Sequence, residues 1–223
     1  MKKMILILSV CIAVNVMAYG GNGGGYGGGK RGGQRKGCVR ACCSSGGCSV
    51  LVPEGTKVDL KLPKETWMRL WMDELAARDL YAALDEQTQR RVFQNIGRAE
   101  VRHRDIIASL LQSGGHTVPE EPRAGEYPDA DMVDVYQKLL AKGQESELAA
   151  FQAGAAFEEL DILELETELA KPGLHQQEVR VLMALRDASV RHLRAFRRQI
   201  TRMGSEPEST YLSAERIGEL MKL

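Results

Sequence analysis

The sequence predicts an all-α protein, and three observations carry that reading. From Pro63 onward apolar residues recur at a period near 3.6 rather than 2. Ala, Leu, Glu and Arg are plentiful while aromatics make up 5% of the chain, a balance that favours helix over sheet. Between the periodic segments lie stretches rich in Gly and Pro, which read as turns and loops.

The first helix is expected over about 64–84, with Trp67, Leu70, Trp71, Ala77, Tyr81 and Leu84 on one side. A break at Asp85-Glu86, with Asp85 as N-cap, leads to a second helix over about 87–112 that stops at Gly114-Gly115. SGGHTVPEEPRAGEYPDAD then reads as loop, and a small helix follows at about 131–142, ended by Gly143. The third long helix covers about 144–170 and stops at Pro172-Gly173; the fourth covers about 175–202 and stops near Gly204. The tail, 204–223, is expected to add a short amphipathic helix. Four long helices joined short, long, short describe a four-helix bundle of two antiparallel hairpins with one crossover, over residues 63–203. A helix of about 25 residues is about 38 Å long, a distance the crossover can span.

Upstream the composition changes. Residues 1–18 read as an export signal: Lys2 and Lys3, an apolar run, then Val16-Met17-Ala18 at the cleavage position. The run is short of the roughly 20 apolar residues of a membrane span. Export to the periplasm or beyond the cell is therefore expected. Residues 19–37 are glycine-rich and basic (Lys30, Arg31, Arg35, Lys36), too poor in apolar groups to fold, and form a disordered leader. Such a segment serves either as a plain linker or as a tether touching anionic envelope surfaces. Residues 38–62 contain Cys38, Cys42, Cys43 and Cys48, an even number that suits two disulfides in an oxidising compartment, with metal binding by the thiols as the alternative. No Asp or Glu precedes Glu54, so residues 54–223 hold 23 basic and 30 acidic groups. That acidic balance argues against nucleic acid as a partner. Oligomeric state is not legible.

Each long helix interrupts its apolar stripe with polar groups near its middle. These are Glu74 on the first, Glu100 and His103 on the second, Glu158 on the third, and Ser189 and His192 on the fourth. With turns at about 86 and 173, they lie twelve to nineteen residues from the nearest turn, close enough in height to converge at one level. Three carboxylates and two imidazoles in an apolar interior cost several kcal/mol per unpaired ion. Either a hydrogen-bonded network or a cation compensates. Oxygen and imidazole donors suit iron or manganese, with zinc as a further choice. Carboxylate-bridged metal pairs take one Glu from each of two helices and Glu-x-x-His from the other two, because positions i and i+3 project to the same side. Here the second helix has the full motif and the fourth reads Ser189-Val190-Arg191-His192.

Four strings, MDELAARDLY at 72–81, FQNIGRAEVRHRD at 93–105, GAAFEELDILEL at 154–165 and SVRHLRAF at 189–196, resemble a ferritin-like domain family of unknown function found in exported bacterial and archaeal proteins. YLSAERIGEL resembles that family's C-terminal ending. The resemblance implies a ferritin-like bundle with metal-type positions at Glu74, Glu100, His103, Glu158 or Glu159, and His192. Ser189 departs from the general ferritin pattern, standing where a second bridging carboxylate would be; Asp161 or Glu159 could complete the set, or one ion or an asymmetric pair is expected. Trp67, Trp71 and Tyr81 read as core aromatics, an aromatic beside a metal being also able to carry an electron. His116 and His175 fall at loop or helix-end positions, and Arg191, Arg194, Arg197 and Arg198 read as a solvated face paired with acids. Two functions follow: an exported iron or manganese protein, a metal-dependent oxidoreductase acting on oxygen or peroxide, or a non-catalytic helical interaction module at the envelope.

Overall fold

A computed structural model describes Val52 and residues 55–222. The expected export signal, the glycine-rich segment and the four cysteines lie outside the described residues. Six α-helices and no strand are present among the described residues: α1 Lys64–Thr88, α2 Arg91–Ser113, α3 Ala130–Gly143, α4 Glu147–Leu169, α5 Gln176–Arg202 and α6 Ala214–Leu220. No described helix is long and apolar enough to cross a membrane.

Local chemistry accounts for most of the helix limits. Pro63 precedes the first turn of α1, where its missing N–H costs nothing. Ser146 and Ser213 cap α4 and α6, accepting from the amides of Ala149 and Arg216 at 3.1 Å, and Asp129 caps α3 through the amide of Asp131. His175, expected only at a helix end, is the N-cap of α5. Its Nδ1 accepts from the amide of Gln177, while Glu178 reaches back to the His175 amide at 2.8 Å.

One boundary differs from expectation. Helix α1 does not break at Asp85-Glu86, and Asp85 caps nothing. Without Gly or Pro to stop it, the helix continues to Thr88 and reverses at Gln89, whose φ of 51° is left-handed and whose amide donates to the carbonyl of Asp85 at 2.7 Å. Moving the pivot to Gln89 improves the match in height. Glu74 is fifteen residues before it and His103 fourteen after.

The helices α1 and α2 pair along their lengths, as do α4 and α5; α1 also meets α4, α2 meets α5, and α3 lies against α4 and α1. Between them Trp67, Tyr81, Phe93, Phe151 and Phe196 are fully buried, with Phe93 and Phe151 stacked at 5.5 Å and Phe196 5.4 Å from Tyr81. Tyr81, Phe93, Phe151 and Phe196 fill the level next to the polar groups. Gly154 on α4 is what admits Phe196 there, since a Cβ at that position would lie 2.7 Å from the ring.

Two buried carboxylates tie the outer segments to this core. Glu178 Oε1 accepts from the amides of Lys61 and Leu62 and from Trp67 Nε1, at 2.9–3.2 Å, fixing the strand of chain that leads into α1 against the start of α5. Glu159 Oε2 accepts from three successive amides, Thr210, Tyr211 and Leu212, at 2.7–3.1 Å, holding the segment before α6. The arginine run on α5 works differently from expectation. Arg194 donates to the carbonyl of Leu220, and Arg197 to those of Pro207 and Glu208, so these two grip backbone oxygens instead of carboxylates.

Gly154→Ala tests the aromatic packing. Alanine gains about 1 kcal/mol of helix propensity, but the wedge against Phe196 costs about 1–3 kcal/mol. The expected outcome is a net loss of stability in urea unfolding, restored by pairing the change with Phe196→Leu.

Candidate metal centre

The i, i+3 spacing places Glu100 and His103 on the same side of α2, and both point inward with 3–4% exposure. His103 Nδ1 lies 2.7 Å from Glu100 Oε2 and 3.3 Å from Glu74 Oε2, which comes from α1. The other Glu100 oxygen, Oε1, lies 3.0 Å from His192 Nδ1 on α5, and that nitrogen lies 3.5 Å from Glu158 Oε1 on α4. The two imidazoles stack with centroids 5.5 Å apart. Glu74, Glu100, His103, Glu158 and His192 thus meet at one level, from four helices.

They form two trios with a common member. Glu74, Glu100 and His103 each offer a ligand atom within 4.8 Å of the others, and so do Glu100, Glu158 and His192. Glu100 straddles the two, one oxygen to each side. Tyr81, seven residues along α1 from Glu74, donates its hydroxyl to Glu158 Oε1 at 2.6 Å. Its position on the same stripe was legible, but the hydroxyl's partner was not, because a buried tyrosine reads as packing.

The three third-helix alternatives separate cleanly. Glu158 is in the centre. Glu159, one residue on and so about 100° round the helix, turns away to the amides of 210–212. Asp161, one turn further on, is hydrogen-bonded to Ser189, the residue standing where a carboxylate was missing. Ser189 Oγ also meets the carbonyl of Leu185 at 3.0 Å, and a hydroxyl has one proton for these two acceptors. The hydroxyl donates to the Asp161 carboxylate. Burial, and then the charge of Glu158, push the Asp161 carboxyl up to about 7, against that hydrogen bond.

Burial dominates the electrostatics, and the partners decide who keeps a proton. Burial opposes the charged form of His192, but Glu100 and Glu158 outweigh it and raise the ring to about 10. His103 is raised likewise, against burial, by Glu74 and Glu100. Burial also opposes ionisation of Glu100, yet His192 and His103 hold it well below the usual carboxylate range. Burial lifts Glu74 and Glu158 above theirs.

The residues fit a cation. Glu100 Oε1 and His192 Nδ1, buried and from different helices, face each other at 3.0 Å without an aligned hydrogen bond, so two ligand-type atoms converge on one point. Carboxylate oxygens with imidazole nitrogen suit iron, manganese or zinc.

Fold and centre together define a class: an all-helical protein with a buried carboxylate–histidine cluster assembled from four helices. The chain belongs to the family described as "Uncharacterized protein domain (DUF2202)", which matches residues 64–223, from the first residue of α1. It is 30% identical over 162 residues to "Uncharacterized protein MJ0754" of Methanocaldococcus jannaschii, across 71% of this chain and 85% of that protein. It is also similar to the crystal structure of the hypothetical protein MJ0754 from Methanococcus jannaschii, with a TM-score of 0.68 at 30% identity, over 73% of this chain and 96% of that one.

The pH dependence of stability reads out the protonated cluster. Asp161 titrates at about 7 against 3.8 in an unstructured chain, and His192 at about 10 against 6.5. Both bind protons more tightly when folded, so their stabilisation is complete below the unfolded values and is lost as pH rises through the folded ones. Glu100 acts in the opposite sense but only in acid. The melting temperature of chelator-treated protein is therefore expected to fall steadily from about pH 5 to about pH 10; a flat or rising profile contradicts the assignment.

Proposed function

We propose that the chain is an exported metal-binding protein whose four long helices, α1, α2, α4 and α5, form a ferritin-like bundle around one or two iron or manganese ions. The observation that carries the reading is the pair of donor trios sharing Glu100. A carboxylate with one oxygen directed to each trio is the arrangement that a bridging ligand needs. When bound, iron or manganese supplies electron transfer to oxygen or peroxide.

The chain's own residues then have distinct tasks. Glu74 and Glu158 balance charge on either side of Glu100, and each belongs to a different helix hairpin. The Tyr81 hydroxyl fixes the orientation of Glu158, an outer hydrogen bond of the kind that sets ligand geometry. His103 and His192 carry protons while the cluster is empty of cation and must surrender them to act as ligands, so binding releases protons and strengthens with rising pH. Phe93, Phe151 and Phe196 cover the adjoining level and limit water.

The second reading, a non-catalytic interaction module, is favoured by one feature: Ser189 in place of a bridging carboxylate. It keeps the helices and removes the chemistry.

Metal analysis of untagged protein separates them, set beside the Glu100→Ala/His103→Ala variant. The expected result is about one or two ions per chain in the wild type and a loss of at least tenfold in the variant, within the 10–100-fold effects of disrupting a metal site. Equal metal in both refutes the site. Ferrous iron and oxygen added to the apo protein, followed at the ligand-to-metal bands, then asks for turnover; a loaded centre with no new band and no oxygen consumption supports the second reading.

A further inference from the structure

Outside the trios a line of carboxylates runs along the seam between α1 and α4. On α4, Glu158, Asp161, Glu164 and Glu168 follow one another at spacings of three and four, one per helical turn, so they share a face. From Glu164 inward their exposure falls: the side chain of Glu164 is 37% exposed, Asp161 is half-buried, and Glu158 is 3% exposed in the centre, while Glu168 beyond Glu164 is buried against Arg69 and Lys171.

Facing this row from α1 is Asp73, next in sequence to Glu74. Asp73 is 4% exposed, and its two buried carboxylate oxygens take no N–H donor and face the carboxyl group of Glu164. The nearest cation, Arg69, stays 3.9 Å away, its guanidinium engaged instead by Glu164 and by Glu168 at 3.3 Å. Asp73 differs from the carboxylates that tie the outer segments to the core. The structural carboxylates Glu159 and Glu178 each take three or four N–H donors, and Asp73 takes none.

We propose that Asp73, Glu164 and Asp161 line the path by which a divalent cation passes from solvent to the centre, with Arg69 at its outer end. This rests on the metal-binding reading above. Cation-attracting groups arranged from an exposed mouth to a buried end, with an orphaned acid midway, give a hydrated ion successive oxygen ligands as it loses water. Arg69 shares the mouth with Glu164 and holds it closed when no cation competes for that carboxylate. Low-dielectric walls on either side strengthen the attraction, and steering of this kind is worth about 10- to 1,000-fold in rate.

The probe is Co2+, added to chelator-treated full-length protein in a stopped-flow cell and followed by its visible bands, with final stoichiometry measured after dialysis. Asp73→Asn/Glu164→Gln is compared with Glu206→Gln/Glu208→Gln, which removes the same charge from exposed positions. The expected result is an unchanged endpoint in all three proteins and loading slowed about tenfold or more in the seam variant alone, with a weaker dependence of rate on salt. Glu164→Gln, at an exposed position, gives a smaller slowing and guards against a folding defect in the double variant. Seam variants that load at the wild-type rate overturn the path while leaving the centre intact. A lowered endpoint at an unchanged rate also overturns it, by making these residues ligands. A wild type that takes up no Co2+, Fe2+ or Mn2+ overturns the metal-binding reading and the path with it.

Discussion

Everything in the centre depends on how one buried carboxylate, Glu100, is shared. Each of its oxygens faces a different imidazole, and through those rings it couples the α1–α2 hairpin to the α4–α5 hairpin. An ionised carboxylate with 3% exposure is tolerable only when positive charge compensates it. In the cation-free protein that charge is on the two histidines; in the proposed function it is on the ion. The same geometry serves both states, because a proton on Nδ1 and a cation occupy the same side of the ring. Packing of aromatic rings at the neighbouring level then fixes the height at which the four helices meet.

Comparing the buried carboxylates with one another separates architecture from chemistry. Glu178 and Glu159 are fully buried, and each is surrounded by N–H groups that satisfy it in place. They are clamps: one holds the segment ahead of α1, the other the segment ahead of α6. Glu74, Glu100 and Glu158 meet no backbone amide and face titratable groups instead. Since a buried anion with amide donors is already stabilised and one without them is not, the second set is the one able to take up protons or cations. Neighbouring residues Glu158 and Glu159 fall on opposite sides of this division.

The sequence carried the helices and their inward-facing polar groups well, because a 3.6 period with polar interruptions near each middle is a strong pattern. Glu100 and His103 were legible from their spacing alone. Other features were hidden for identifiable reasons. The reversal at Gln89 has no Gly or Pro to mark it; it depends on a non-glycine residue adopting a left-handed φ, which the type of residue does not announce. Glu158 and Glu159 could not be told apart, since an error of one residue in phase exchanges them. Glu178 looks like any first-turn acid of a helix, and only its partners at 61, 62 and 67, more than a hundred residues away, reveal the clamp. Asp73 was missed because an acid beside Glu74 in an acidic helix reads as surface.

Ser189 brings no carboxylate to the centre, but its hydrogen-bond partner does. Asp161 on α4 reaches Ser189 on α5, so a carboxylate is still present on that side of the centre, delivered from the other helix of the hairpin. The cost is asymmetry. The α1–α2 side is closed, with the His103 side chain 5% exposed, while His192 on the other side is 13% exposed and Asp161 half-buried. An acid displaced toward solvent binds a cation less tightly than one fixed in the interior but exchanges it more readily. Under the proposed function the two halves of the centre are therefore suited to different work: Glu74, Glu100 and His103 to retention, and Glu158, His192 and Asp161 to admission and exchange. That division follows from where one carboxylate is attached to the chain, and it places the more open half on the same helix face as the acids of the proposed path.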